Sequence, residues 1–104
     1  MKLMNKNKIK SLVKRLETQK TNTIILEPRE VFNQGIIGYD ESQNKLIYSY
    51  HEIVIALAIS YLKEEPGSSF SYQYEAAEDW VQYNTLGTFV TGYPIIRMGE
   101  EDAK

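Results

Sequence analysis

Gly35-Ile36-Ile37-Gly38-Tyr39 and Lys45-Leu46-Ile47-Tyr48-Ser49-Tyr50 are two β-prone runs separated by Asp40-Glu41-Ser42-Gln43-Asn44, whose Asp, Ser and Asn favour turns. The stretch predicts an antiparallel hairpin. Directly after it, His51 to Glu65 carries Ile53-Val54-Ile55-Ala56-Leu57-Ala58-Ile59 and continues through Tyr61, Leu62 and Lys63. That run is too apolar to alternate and too long for a strand. It predicts a buried helix, in which tertiary burial offsets the low helix propensity of the β-branched residues. A hairpin running into a buried helix sets the class as α+β.

Upstream, Thr23-Ile24-Ile25-Leu26-Glu27 is short and β-branched, and Pro28 ends it, which predicts a strand and then a turn. Downstream, Pro66-Gly67-Ser68-Ser69 closes the first helix, and a second is expected from Ser71 or Tyr72 to Asn84. Glu75, Glu78 and Asp79 lie in its first half, where the helix dipole favours negative charge. Ala76, Ala77, Trp80, Val81 and Asn84 form its expected inward face, with Trp80 largely buried. After Gly87 and Gly92, Tyr93-Pro94-Ile95-Ile96-Arg97 reads as a last strand, placed at a sheet edge by its proline. The expectation for residues 21–104 is one α+β domain, a small and mainly antiparallel sheet of about three or four strands with two helices on one face.

Residues 1–20 differ in kind. Seven basic side chains against Glu17 alone give this segment +6, whereas five basic and thirteen acidic side chains give the remainder −8, behind a formal net charge of −2. Ile9, Leu12, Val13 and Leu16 recur at helical spacing with Lys8, Lys10, Lys14 and Arg15 on the flanks, so residues about 7–20 predict a basic amphipathic helix. Such an arm suits a polyanion or an acidic protein face, and those four cations are the first partner-binding candidates. The rival reading lays the arm on the acidic body of its own molecule or of a dimer mate, which adds a homodimer to the candidate assemblies.

The chain has no cysteine, which removes disulfides, thiolate nucleophiles and Cys-based metal sites. It has no apolar run of signal-peptide or membrane-spanning length, so a soluble cytoplasmic protein without a transmembrane segment is expected. His51-Glu52 starts like a zinc H-E-x-x-H motif, but the fifth position is Ile55 and there is no second histidine. The glycines of Gly87-Thr88-Phe89-Val90-Thr91-Gly92 have P-loop spacing, yet Tyr93 and Pro94 stand where the phosphate-binding Lys and the magnesium-binding hydroxyl belong. Neither a metal nor a cofactor is expected. In Glu27-Pro28-Arg29-Glu30 a local Arg29–carboxylate pair is expected to fix the turn. An enzyme built on Glu27, Arg29, His51 and Glu52 would require all four to line one pocket. Tyrosine occurs eight times, and its apolar ring with one polar tip suits interfaces; Tyr48 and Tyr50 are the tyrosines added to the partner-binding set.

The runs Leu26-Glu27-Pro28-Arg29, Phe32, Ile36-Ile37-Gly38-Tyr39, Leu46 to Tyr50, Ala76-Ala77-Glu78-Asp79-Trp80, Tyr83-Asn84-Thr85 and Pro94-Ile95-Ile96 together resemble a family of small uncharacterised proteins of tailed bacteriophages and prophages. The resemblance covers about residues 24–97 and leaves out the basic arm; Asn33 stands where such proteins often carry an acidic residue. It implies a phage setting and marks Glu27, Pro28, Arg29, Tyr83 and Asn84 as motif residues, and Glu27-Pro28-Arg29 is expected beside Tyr83-Asn84-Thr85. The resulting expectation is a non-enzymatic phage-type accessory protein that binds a host or phage macromolecule, foremost a protein, for instance to inhibit or redirect a host or defence protein in the host cytoplasm. Its alternative is a nucleic-acid-binding protein that uses the basic arm.

Overall fold

A computed structural model of the chain describes residues 4–19, 22–85 and 92–99. In chain order they form helix α1 (Lys6–Thr18), the short helix α2 (Arg29–Phe32) running into a 3₁₀ turn (Asn33–Gly35), strands β1 (Ile36–Asp40) and β2 (Lys45–Ser49), helices α3 (Tyr50–Glu64) and α4 (Phe70–Asn84), and strand β3 (Ile95–Arg97). The class is α+β, as the hairpin and its helix predict. Each long helix starts on a side-chain cap: Asn5 Oδ1 accepts from Lys8 N, Ser49 Oγ from Glu52 N and Ser69 Oγ from Tyr72 N. The Gly87–Val90 and Thr91 positions of the loop with P-loop spacing lie outside the described residues.

The sheet order is β1-β2-β3. β1 and β2 pair antiparallel, while β2 and β3 pair parallel, with Ile47, Tyr48 and Ser49 opposite Ile95, Ile96 and Arg97. The sheet is therefore mixed, and the crossover that a parallel pair needs contains both α3 and α4. β3 takes the edge that Pro94 predicts.

The strand expected at Thr23–Glu27 is absent: residues 23–26 adopt no regular structure. Their amides find other partners. Ile24 N donates to Gly92 O at 3.0 Å, and Leu26 N donates to the Tyr48 hydroxyl at 3.0 Å, so a side chain stands where a ladder carbonyl would be. Gly92 permits this clasp, since it has φ +81° and a Cβ there would lie 1.7 Å from Asn22 O. The Glu27–Pro28 peptide that follows is cis.

One core joins every layer. Leu12, Val13 and Leu16 of α1 are each only 6 % exposed and pack with Phe32, Leu46, Tyr48, Ile53, Val54 and Val81. α3 buries residues around much of its circumference, as its continuous apolar run predicts. Gly35 lets the 3₁₀ turn close on it, because a Cβ would fall 2.2 Å from Ile53 Cγ2. α4 presents Gln73, Ala77 and Val81 inward, one side chain per turn. This corrects two assignments. Trp80, one position before Val81, is rotated about 100° off that row, remains 36 % exposed and stacks on Phe32 with centroids 5.7 Å apart. Asn84 points outward and donates to Trp80 O at 2.8 Å.

Candidate functional site

The site is built from a sheet irregularity upward. β1 pairs Ile36 with Tyr48 and Gly38 with Ile47, so Ile37 is bulged out of register. Its carbonyl accepts from Met4 N at 3.2 Å, and that bond anchors the lead-in to α1 along β1. With the stripe of Leu12, Val13 and Leu16 turned into the core, the remaining circumference of α1 faces outward. Lys8, Lys10, Lys14 and Arg15 are all exposed.

Between α1 and the hairpin tip lies an open groove of about 570 Å³. From α1 it takes Asn7, Lys8, Ser11, Leu12 and Arg15, with Met4 just before the helix; Tyr39 and Glu41 close it from the hairpin. Lys8, Ser11 and Arg15 follow at i, i+3 and i+7, one line that spans about 10 Å along the helix. Met4 and Leu12 give the groove apolar patches. Among the described residues the ion pairs are those of Arg29 with Glu17 and with Glu27, so Lys8 and Arg15 have no carboxylate partner there. Lysines at the start of a helix also oppose its dipole, and α1 has no acidic residue in its first turn. Its charge pattern works against helix stability and concentrates positive potential beside the groove.

The hairpin tip is rigidly made. Asn44 adopts φ 54°, which asparagine tolerates, accepts from the Tyr39 hydroxyl through Oδ1 at 3.1 Å, and offers its carbonyl to Thr23 Oγ1 at 2.8 Å. Asp40 accepts from the Ser42 hydroxyl at 2.6 Å, and with further donors on Gln43 this holds its carboxyl below the usual range. The wall that carries Tyr39 is thus held in place, and Glu41 adds one carboxyl group to the groove.

The other sequence-derived candidates go elsewhere. Tyr48 and Tyr50 are corrected from partner-binding to structural: Tyr48 is fully buried with its hydroxyl accepting from Leu26 N, and the buried Tyr50 hydroxyl accepts from Gln82 Nε2 at 2.9 Å. Burial pushes the Tyr48 phenol up to about 12. Arg29 donates from Nε to Glu27 at 3.1 Å, the expected local pair, and also meets Glu17, which fastens the end of α1 to the turn. Tyr83 is 92 % exposed and Asn84 bonds within its own helix, so the Glu27-Pro28-Arg29 and Tyr83-Asn84-Thr85 motifs satisfy their polar groups separately. His51 and Glu52 are exposed at the start of α3, and none of Glu27, Arg29, His51 and Glu52 lines the groove. Among the described residues no three His, Asp or Glu side chains are close enough together to hold a metal ion, and no helix is long and apolar enough to cross a membrane.

Sequence reading identified Lys8 and Arg15 but not Asn7, Ser11, Tyr39 or Glu41. The helical wheel carried part of that signal. Lys8 and Arg15, seven apart, share one edge of α1, while Lys10 and Lys14 share the other. Comparison with known protein families, with curated proteins and with solved structures finds no match to this chain.

Proposed function

We propose that this chain is a non-catalytic binding protein, of the accessory type carried by tailed phages and prophages, that grips an acidic segment of another protein in the groove between α1 and the hairpin. The phage setting rests on the motif resemblance, and the binding mode rests on the groove. The observation that carries it is the convergence of Lys8 and Arg15, both without a carboxylate partner among the described residues, on a groove with apolar patches from Met4 and Leu12. A peptide bearing carboxylates beside one apolar side chain matches that mixture. A long phosphate backbone matches it less well, because Glu41 lines the groove and would repel it.

The test is affinity capture from infected and uninfected host lysates with the wild-type chain and a Lys8→Glu/Arg15→Glu variant, each with and without nuclease. A protein retained by the wild type, lost by the variant and insensitive to nuclease is the expected result. A nuclease-sensitive complex whose affinity falls with salt at a log–log slope near about −4 to −5, the release of counterions from about five phosphates, would replace this reading with nucleic-acid binding. Equal capture by both proteins would remove the groove from the function.

A further inference from the structure

A second surface remains unused by the groove. On α4, Tyr72 is 64 % exposed, Tyr83 92 % and Trp80 36 %. Tyr72, Glu75, Asp79 and Tyr83 follow at i, i+3, i+7 and i+11, a single line of about 16 Å on the outward side, and Trp80 flanks it. Trp80 rests one ring face on Phe32, which leaves the other turned away from the core. The helix sequence contains no Lys or Arg. It therefore offers aromatic faces interleaved with carboxylates, a composition that recognises cations through both ring quadrupoles and ion pairs.

The chain carries the complement. Lys6, Lys10 and Lys14 are exposed on the edge of α1 opposite the groove, at i, i+4 and i+8, so the ammonium groups repeat about every 6 Å along the helix. Glu75 and Asp79 repeat with the same i, i+4 spacing. Lys10, Lys14, Glu75 and Asp79 form no ion pair among the described residues of their own molecule. We propose that the outward face of α4 docks on the Lys6–Lys10–Lys14 edge of α1 in a second copy of this chain. The lysine stems lie over the Tyr72, Trp80 and Tyr83 rings while their ammonium groups meet Glu75 and Asp79. When each copy contributes one α1 edge and one α4 face, the contact is made twice about a two-fold axis. A contact of this size, built largely on exposed charges, is weak and sensitive to salt.

Sedimentation equilibrium over a range of protein concentrations, in low and in high salt, tests it. The average mass should rise above that of the monomer with concentration in low salt and return to it in high salt. Trp80 is the only tryptophan, so its emission should shift over the same concentrations. Lys10→Glu/Lys14→Glu and Glu75→Lys/Asp79→Lys variants should each lose association alone, since like charges then face each other. An equal mixture of the two should regain it, because each variant supplies the opposite charge for the other. Circular dichroism checks that both remain folded. A wild-type protein that stays monomeric in low salt, or a mixture of folded variants that fails to associate, would overturn the proposal. The Lys8→Glu/Arg15→Glu variant should still self-associate, which separates this surface from the groove.

Discussion

Helices α1 and α4 exchange the places that their composition suggests. α1 has a short aliphatic stripe among lysines, and Leu12, Val13 and Leu16 are nonetheless inside the core; α4 holds the only tryptophan, and that residue is on its flank. Burial follows angular position more than side-chain size. On α1 three aliphatic residues lie within one arc, whereas on α4 the inward arc belongs to Gln73, Ala77 and Val81, of which Ala77 and Val81 are small enough to bring the helix close to α3. The positive charge of α1 is thus held by a helix that the fold needs.

The largest effect expected from this contrast is in α1. Leu16→Ala should cost about 2–5 kcal/mol in denaturant melts, as for a fully packed core leucine, and removing residues 1–19 should abolish the cooperative transition. A truncated protein that still melts cooperatively would show that α1 is an appendage and break the comparison. Next comes the segment that joins α1 to the body. Tyr48→Phe should cost about 1–3 kcal/mol, because the buried Leu26 amide loses its acceptor. The same phenol gives a pH signature: its folded pKa of about 12 lies above the ordinary value near 10. Its neutral form is favoured in the fold, so this stabilisation is complete below pH 10 and is lost as pH rises from 10 towards 12, by up to about 2–3 kcal/mol. Ultraviolet titration should find one tyrosine ionising last, and Tyr48→Phe should remove that step. The smallest effect belongs to α4. Trp80→Ala should cost about 1–2 kcal/mol, less than a buried aromatic, since it removes a stack on Phe32 and leaves the inward row intact. A loss as large as that of Leu16→Ala would mean that Trp80 is a core residue after all.

Most of the fold was legible where periodicity and punctuation agreed. The hairpin, both long helices, the edge strand and the basic helix follow from local pattern, caps and turn residues. What failed depended on contacts distant in sequence. Thr23 to Leu26 has strand-like composition, but its amides bond to Gly92 and to the Tyr48 hydroxyl, which no local pattern announces. The parallel direction of β3 depends on the crossover, and a three-residue strand reads alike in either direction. The groove was half legible: the cations of α1 were visible, while the wall opposite them depends on the Ile37 bulge and the left-handed Asn44. Tyr48 and Tyr50 were misassigned because tyrosine suits a core with one hydrogen-bond partner as well as it suits an interface.

The clasp between Ile24 and Gly92 and the pairing of β2 with β3 each join residues far apart in sequence, whereas the β1–β2 hairpin closes on itself. Loop closure makes such distant contacts slow to form, and β3, with three half-buried residues, has the least to hold it in place. When β3 lifts away, β2 is bared along one side, and Ile47 to Ser49 regain a free row of backbone donors and acceptors. That row invites a strand from a neighbouring molecule. The short third strand therefore acts as a cover on the sheet, and a weakened clasp at Gly92 would show first as loss of solubility, before any loss of helix content.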